Sequence, residues 1–483
     1  MKTLPQRATE ILPYVFVFIA SLHLPSDPDL GWHLKYGEYF FTHHQILREN
    51  IFSTMMPQYH WANGSWGTDI LTYAIFHYSG FFGLTLASAA IVTVTFFFFA
   101  KASRLTFLEE AFFFPLFLYL ENDLNSVSFK GQQISMLFLG ILVFLLSRYK
   151  PFSKIFFFIP VLFLFWCNMQ EESFLGLAIF GMWLLTYIGI AIKKEGTRKA
   201  KKEIGFLISI FTVTFLVTFI NPFGWGIHLT ALSHIQDPLL KTVSEYVPFP
   251  AFSPLWWNET IITLISFIIL ISLAFKKSLR DNFPLFILPI IFLLLSFSVR
   301  RYVWPAYYLS LFLFHIPGQF ITSYARKYAV LIAFIILLIS IGYVMQQKLP
   351  FDQFTSMSWN TYCQLQSVSC DPVSAEYLQK NKLQGKLFSY YDWGGWLIWN
   401  YPGIKPNIDG RMHVWRDANG YSATEEYAAY ENGQKSIDKS PYDIVYLPND
   451  QSPLAAELST LIQQKKWKIA YEDELSGIVV RIK

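Results

Sequence analysis

Asp27, Asp29 and His33 are the residues of this chain whose types and spacing are best suited to chemistry. Two carboxylates two positions apart, with an imidazole four positions after the second, can take a proton from an attacking acceptor or hold a divalent cation such as Mg²⁺ or Mn²⁺. Pro28 lies between the carboxylates, so the stretch also reads as a helix start. Asp27 is then the N-cap, Pro28 the first helical residue, and Asp29 a first-turn acid near the positive end of the helix dipole. The two readings are compatible. A cation needs further ligands, and Glu171, beside Glu172 between two apolar stretches, is the additional carboxylate to consider. Arg300 and Arg301 are adjacent at the end of another apolar stretch, where they suit either phosphate or lipid headgroups. Trp32 and Trp225 supply aromatic surface for a substrate.

The elements that must position these residues are mostly membrane helices. Of 483 residues, 53% are hydrophobic, 48 are Phe and 15% are charged, well below the roughly 25% usual for soluble domains. Apolar segments suited to a hydrocarbon layer about 30 Å thick recur at 9–24, 81–100, 106–120, 132–147, 155–168, 174–192, 204–220, 259–275, 283–298, 303–320 and 328–345. This predicts eleven spans in a transmembrane domain over 1–345, whose first outer loop is 25–80, followed by a soluble domain over 346–483. The first span ends at Pro25 without a cleavage site and is read as retained.

Orientation follows from Lys and Arg in the short loops. Lys2, Arg7, Lys101, Arg104, Arg148, Lys150, Lys154, the basic run over 193–202, Lys276, Lys277, Arg280, Arg326 and Lys327 fall on one side. Lys35, Arg48, Lys130, Lys241, Arg300 and Arg301 fall on the other. The N-terminus is therefore expected in the cytoplasm and the C-terminal domain outside. The net charge of +4 is explained by these loops and implies no nucleic-acid partner.

On the outer side, Trp32, Tyr36, Tyr39 and Phe40 predict an amphipathic helix, and 66–78 a second one ending at Gly80. Loop 221–258 is rich in Pro and aromatic residues and reads as a semi-rigid cover. The soluble domain alternates strand patterns at 386–391, 404–409, 442–447, 467–472 and 477–482 with helix patterns at 373–381, 394–400, 422–432 and 452–465, a small α/β layer. It has no Gly-rich phosphate loop, zinc-spaced Cys/His set or nucleophile elbow. Cys363 and Cys370 are placed to form a local disulfide or to stay unpaired. Asn63 and Asn258 match a glycosylation acceptor pattern.

The stretch Asp27, Pro28, Asp29, Leu30, Gly31, Trp32, His33, Leu34 with Gly37, then Ile51, Phe52, Ser53, Trp61 and Trp66, resembles the first outer loop of bacterial polytopic proteins related to the GT-C glycosyltransferases. Phe165 and Trp166 with Asn168, the run Asn221 to Trp225, the run Tyr391 to Gly395, and Ile408, Asp409, Gly410 and Arg411 resemble further blocks of that group. Glu49 and Asn50 stand where Pro and Asp are frequent, and Gln170, Glu171 and Glu172 where a His-Gly pair is frequent. The resemblance implies a GT-C-like helical bundle with an extracytoplasmic α/β domain and a first-loop carboxylate that maps onto Asp27 or Asp29. It also implies a polyprenyl-phosphate or polyprenyl-diphosphate sugar donor.

The expected activity is inverting sugar transfer to a glycan, lipid or protein acceptor at the outer face of the bacterial inner membrane. Asp29 is the expected base and Asp27 its companion, with His33 orienting the acceptor or joining Asp27, Asp29 and Glu171 around a divalent cation. Arg300 or Arg301 would hold the leaving phosphate. The alternatives are a non-catalytic envelope assembly or carrier-binding scaffold and a lipid-linked glycan transporter. Few ionisable residues near span centres and no inverted repeat count against the transporter.

Overall fold

In a computed structural model, residues 4–120, 129–236, 246–274, 277–314, 323–348, 355–365 and 368–482 are described. Lys2, Lys241, Lys276 and most of loop 121–131 lie outside them. The chain divides into two compact units. One comprises Met1–Leu24, Leu84–Ala231 and Lys241–Thr355, and the other Pro25–Gly83, Leu232–Leu240 and Ser356–Lys483.

The first unit is helical. Helices Leu4–Ala20, Phe107–Leu120, Gly131–Arg148, Phe158–Met169, Ser173–Glu195, Thr197–Val217, Pro254–Ala274, Lys277–Ser296, Val303–Ser310 and Ser323–Lys348 cover the apolar segments, together with the second half of Trp66–Ser103. The expected span over 303–320 is helical only to Ser310, with turns to 314 and the remainder outside the described residues. Among the described residues five helices are long and apolar enough to cross a membrane: Trp66–Ser103, Gly131–Arg148, Ser173–Lys194, Pro254–Ile271 and Tyr328–Gln346. Several others fall short of the roughly 20 residues that 30 Å requires. Some polar side chains inside the bundle pair with one another: Trp166 Nε1 donates to Ser135 Oγ at 3.0 Å and Ser88 Oγ to Gln133 Oε1 at 2.9 Å. Glu109 accepts the Thr106 N–H at 2.6 Å, half of a capping box that starts Phe107–Leu120.

The second unit joins the first outer loop to the C-terminal segment, whereas chain order groups that loop with the spans. Burial explains the regrouping. Helix Leu30–His43 buries Leu30, Gly31, Trp32, Leu34, Tyr36 and Gly37, so the aromatic face expected to meet the membrane surface packs on protein. Gly80, at φ 58° and ψ −153°, breaks Trp66–Ser103 where the sequence places the end of the second outer helix. The sheet has the order β1-β2-β4-β3, with β1 Leu387–Ser389, β2 Ile444–Pro448, β3 Trp467–Glu472 and β4 Ser476–Arg481. Strand β1 pairs parallel to β2 in the register Leu387 with Ile444, and the other pairs are antiparallel. Helices Pro372–Asn381, Gly394–Asn400, Ala423–Glu431 and Pro453–Gln463 match the expected helices.

The expected strand at 404–409 does not form. Pro406 has no N–H to give a ladder, and the Pro406 and Asn407 carbonyls instead accept the N–H groups of Thr54 and Met55, each at 2.9 Å. Asn407 Oδ1 takes the Ser389 N–H at 2.8 Å. This irregular segment ties the first loop to the sheet.

Candidate functional site

Three sequence blocks far apart in the chain meet in the second unit through glycines. A Cβ at Gly31 would overlap the Gly395 carbonyl, and one at Gly395 would lie 2.7 Å from the Pro28 carbonyl. The helix carrying Asp29 and His33 and the helix Gly394–Asn400 therefore touch backbone to backbone, which only glycine permits. Gly410 holds a third such position, its Cα facing the Asp29 carboxylate so closely that a Cβ would overlap Oδ1.

Within this niche the two first-loop carboxylates differ. Asp27 is buried at 5% exposure and its Oδ1 accepts the Asp29 N–H at 3.1 Å. Its carbonyl accepts the Leu30 N–H at 3.0 Å and the hydroxyl of buried Tyr362. Asp29 is the residue before helix Leu30–His43, in αR geometry, and its side chain makes no capping hydrogen bond. The helix thus begins two residues after the expected start at Pro28, and Asp29 is partly exposed where Asp27 is buried. Tyr362 neighbours Cys363, which is disulfide-bonded to Cys370.

His33 is oriented by residues other than Asp27. Its Nδ1 lies 2.5 Å from Oδ1 of Asp69, whose Oδ2 accepts from Asn63 Nδ2 at 2.6 Å, and Trp32 stacks on the ring at 3.6 Å. Burial alone would lower the His33 pKa, but Asp69, then Asp27 and Asp29, outweigh it and raise it above the ordinary 6.5. The glycosylation reading of Asn63 fails, because this side chain is buried and its amide is engaged by Asp69.

The Ile408 to Arg411 block is a brace. Arg411 Nε and Nη2 each lie 2.7 Å from an Asp409 carboxylate oxygen, both residues are buried, and Nη2 also donates to Asn50 Oδ1 at 3.0 Å. Burial would raise the Asp409 pKa, and Arg411 together with Ser53 holds it below the ordinary value. Tyr391, nearby, has its hydroxyl pKa pushed up by burial and by the negative charges of Asp29, Asp409 and Asp392. The niche is therefore rich in negative charge, with His33 and Arg411 as the basic groups paired to carboxylates within it.

The remaining expected site residues belong to the first unit. Arg301 Nε and Nη2 lie 3.1 and 2.8 Å from Glu172 Oε1, and Nη1 donates to Tyr246 Oη at 2.9 Å. An arginine whose fork already grips a carboxylate is poorly placed to clamp phosphate with that same edge. The Arg300 guanidinium lies over the Phe249 ring at 4.4 Å, and the Arg300 backbone N–H donates to the Val247 carbonyl at 3.3 Å. Trp225 is 51% exposed and stacks on Phe219 at 5.2 Å. Glu171 lies in the turn before Ser173–Glu195.

Among the described residues, no three His, Cys, Asp or Glu side chains converge as a metal-binding group. His33 Nδ1 is committed to Asp69.

No family model matches the chain, and no curated protein matches it. ArnT from Cupriavidus metallidurans, bound to undecaprenyl phosphate, is similar in structure at 12% identity over 100% of this chain and 99% of its own, with a TM-score of 0.48. The Archaeoglobus fulgidus oligosaccharyltransferase in its apo form is similar at 8% identity over 92% of this chain and 70% of its own, with a TM-score of 0.52. The chain has a GT-C-like fold. The likeness establishes the architecture of a membrane protein with a small α/β part and leaves the reaction to be argued from residues.

Proposed function

We propose that this protein is an inverting membrane glycosyltransferase using a polyprenyl-phosphate or polyprenyl-diphosphate sugar at the extracytoplasmic face of the bacterial inner membrane. The observation that carries the reading is Asp29: a partly exposed carboxylate without a capping role, facing Gly410 where three sequence blocks converge. In this reaction Asp29 takes the proton of the acceptor as the acceptor atom attacks the anomeric carbon. The bond from that carbon to the phosphate oxygen breaks on the opposite face, and its electron pair leaves with the phosphate. Asp27 positions Asp29 through its N–H, and His33, fixed by Asp69, and Trp32 bind the sugar or acceptor.

The disulfide between Cys363 and Cys370 supports an oxidising compartment for the C-terminal part, and the basic loops support a cytoplasmic N-terminus. A glycan, lipid or protein is the acceptor.

Asp29→Asn tests the reading. It keeps size and removes both charge and proton acceptance, so transfer from a polyprenyl-linked sugar should fall about 10²–10⁴-fold. A thermal melt run beside the assay checks that the variant folds. Near-normal transfer by this variant would remove Asp29 as the base. Wild-type protein that neither transfers sugar nor binds the carrier would favour a non-catalytic scaffold.

A further inference from the structure

A cavity of about 470 Å³ opens in the second unit between residues 54–59 of the first loop and the C-terminal segment, lined by Tyr59, Tyr421, Tyr442, Asp417, Glu426 and Lys386 among others. Its size falls within the roughly 300–1,000 Å³ of small-molecule sites. The first-loop wall is held in a costly shape. Met56 and Gln58, neither of them glycine, have φ of 44° and 60°. Such conformations persist only where the surroundings impose them, and they cluster at ligand-binding places. Here buried Asn50 imposes them, its Nδ2 donating to the Met55 and Met56 carbonyls at 2.9 and 3.2 Å while its own carbonyl accepts the Gln58 N–H at 3.0 Å.

The opposite wall is equally fixed. Asp417 Oδ1 accepts the N–H groups of Asn419 and Tyr421, each at 2.8 Å, and the Tyr421 hydroxyl donates to Glu426. Tyr59 is braced by stacking on Trp415 at 4.8 Å. Two carboxylates against one ammonium make the lining net negative, which disfavours phosphate and carboxylate ligands. Three tyrosine rings with carboxylates at their margins suit a molecule that shows apolar C–H faces and donates hydroxyls from its rim.

We infer that this cavity is a binding site for an uncharged saccharide of one or two rings. The site is distinct from the Asp29 niche, and the inference stands whether or not the chain transfers sugar. The test is calorimetric titration of the full chain in a detergent without a sugar headgroup, using chitobiose and maltose as probes and inorganic phosphate as competitor. At least one disaccharide should bind saturably and phosphate should not compete. Tyr421→Ala and Glu426→Gln should each weaken binding about tenfold, while Asp29→Asn leaves it unchanged. Melting curves check that the variants fold, and Glu426→Gln decides if Tyr421→Ala does not. No saturable binding of either probe, binding indifferent to both cavity variants, or binding lost on Asp29→Asn would each overturn the inference.

Discussion

His33 and Asp69 stand 36 positions apart, yet their 2.5 Å pairing is the main electrostatic feature around Asp29. The raised His33 pKa gives the pair a pH signature. A group whose pKa is higher in the folded than in the unfolded state stabilises the fold fully below its unfolded value, near 6.5, and loses that contribution as pH rises through the raised value. Stability of the second unit should therefore decline as pH rises above the ordinary 6.5, and His33→Gln should flatten that decline while lowering the melting temperature at about pH 6. Melts of both proteins from about pH 6 to about pH 10 check this, and identical alkaline slopes would remove the His33 and Asp69 pair as the cause. Asp27, Asp29 and His33 were legible in the sequence because they are polar residues in an apolar chain just after a hydrophobic segment. The partner of His33 was not. Helical spacing ties His33 to Asp29 on its own helix, whereas the pairing with Asp69 depends on how two helices pack, and Asn63 carried a glycosylation pattern that concealed its role. Arg301 shows the same limit, since nothing local signals that Glu172 grips it.

Helix Leu30–His43 and helix Gly394–Asn400 meet at Gly31 and Gly395, where there is no room for a methyl group on either side. Gly31→Ala should force the helices apart and cost about 1–3 kcal/mol, with the larger value expected because backbone atoms cannot rotate away as a side chain would. Gly189→Ala, in helix Ser173–Glu195 with nothing near its Cβ position, should be neutral or slightly stabilising. A thermal melt of the two variants compares them, and equal shifts would show that the close contact at Gly31 is not limiting. At this scale the sequence was informative where local patterns decide. Strand Trp467–Glu472 and helix Gly394–Asn400 form as their periodicity predicts, and Gly80 ends the outer helix as its flexibility suggests. The alternating pattern at 404–409 misled because its hydrogen-bond partners come from residues 54 and 55, more than three hundred positions away. The aromatic stripe of Leu30–His43 was read correctly as an apolar face, but a stripe does not say whether lipid or protein covers it.

The whole molecule has to place Asp29, the disulfide and the cavity on one side of a membrane, and the distribution of basic residues is the argument for which side. Positively charged segments are retained where synthesis leaves them, so the proposed orientation puts the run over 193–202 in the cytoplasm. The disulfide between Cys363 and Cys370 points the C-terminal part to the opposite, oxidising compartment. These two observations are independent: one concerns loop charge in the first unit, the other thiol chemistry in the second. The eleven crossings expected from the sequence would reconcile them, because an odd number puts the two ends of the helical region on opposite sides, and five of the described helices are long and apolar enough to be crossings. Cys167 is buried and is the free cysteine among the described residues, so a Cys167→Ser background reports cleanly on new thiols. Lys201→Cys and Lys468→Cys place single exposed thiols in the basic run at the start of helix Thr197–Val217 and in strand β3. In intact spheroplasts a membrane-impermeant maleimide should label Lys468→Cys directly and Lys201→Cys only after the membrane is opened. Labelling of Lys201→Cys from outside would reverse the orientation and move Asp29 to the cytoplasm, where a lipid-linked donor displayed on the outer leaflet could not reach it. Labelling of both from outside would require an even number of crossings between them.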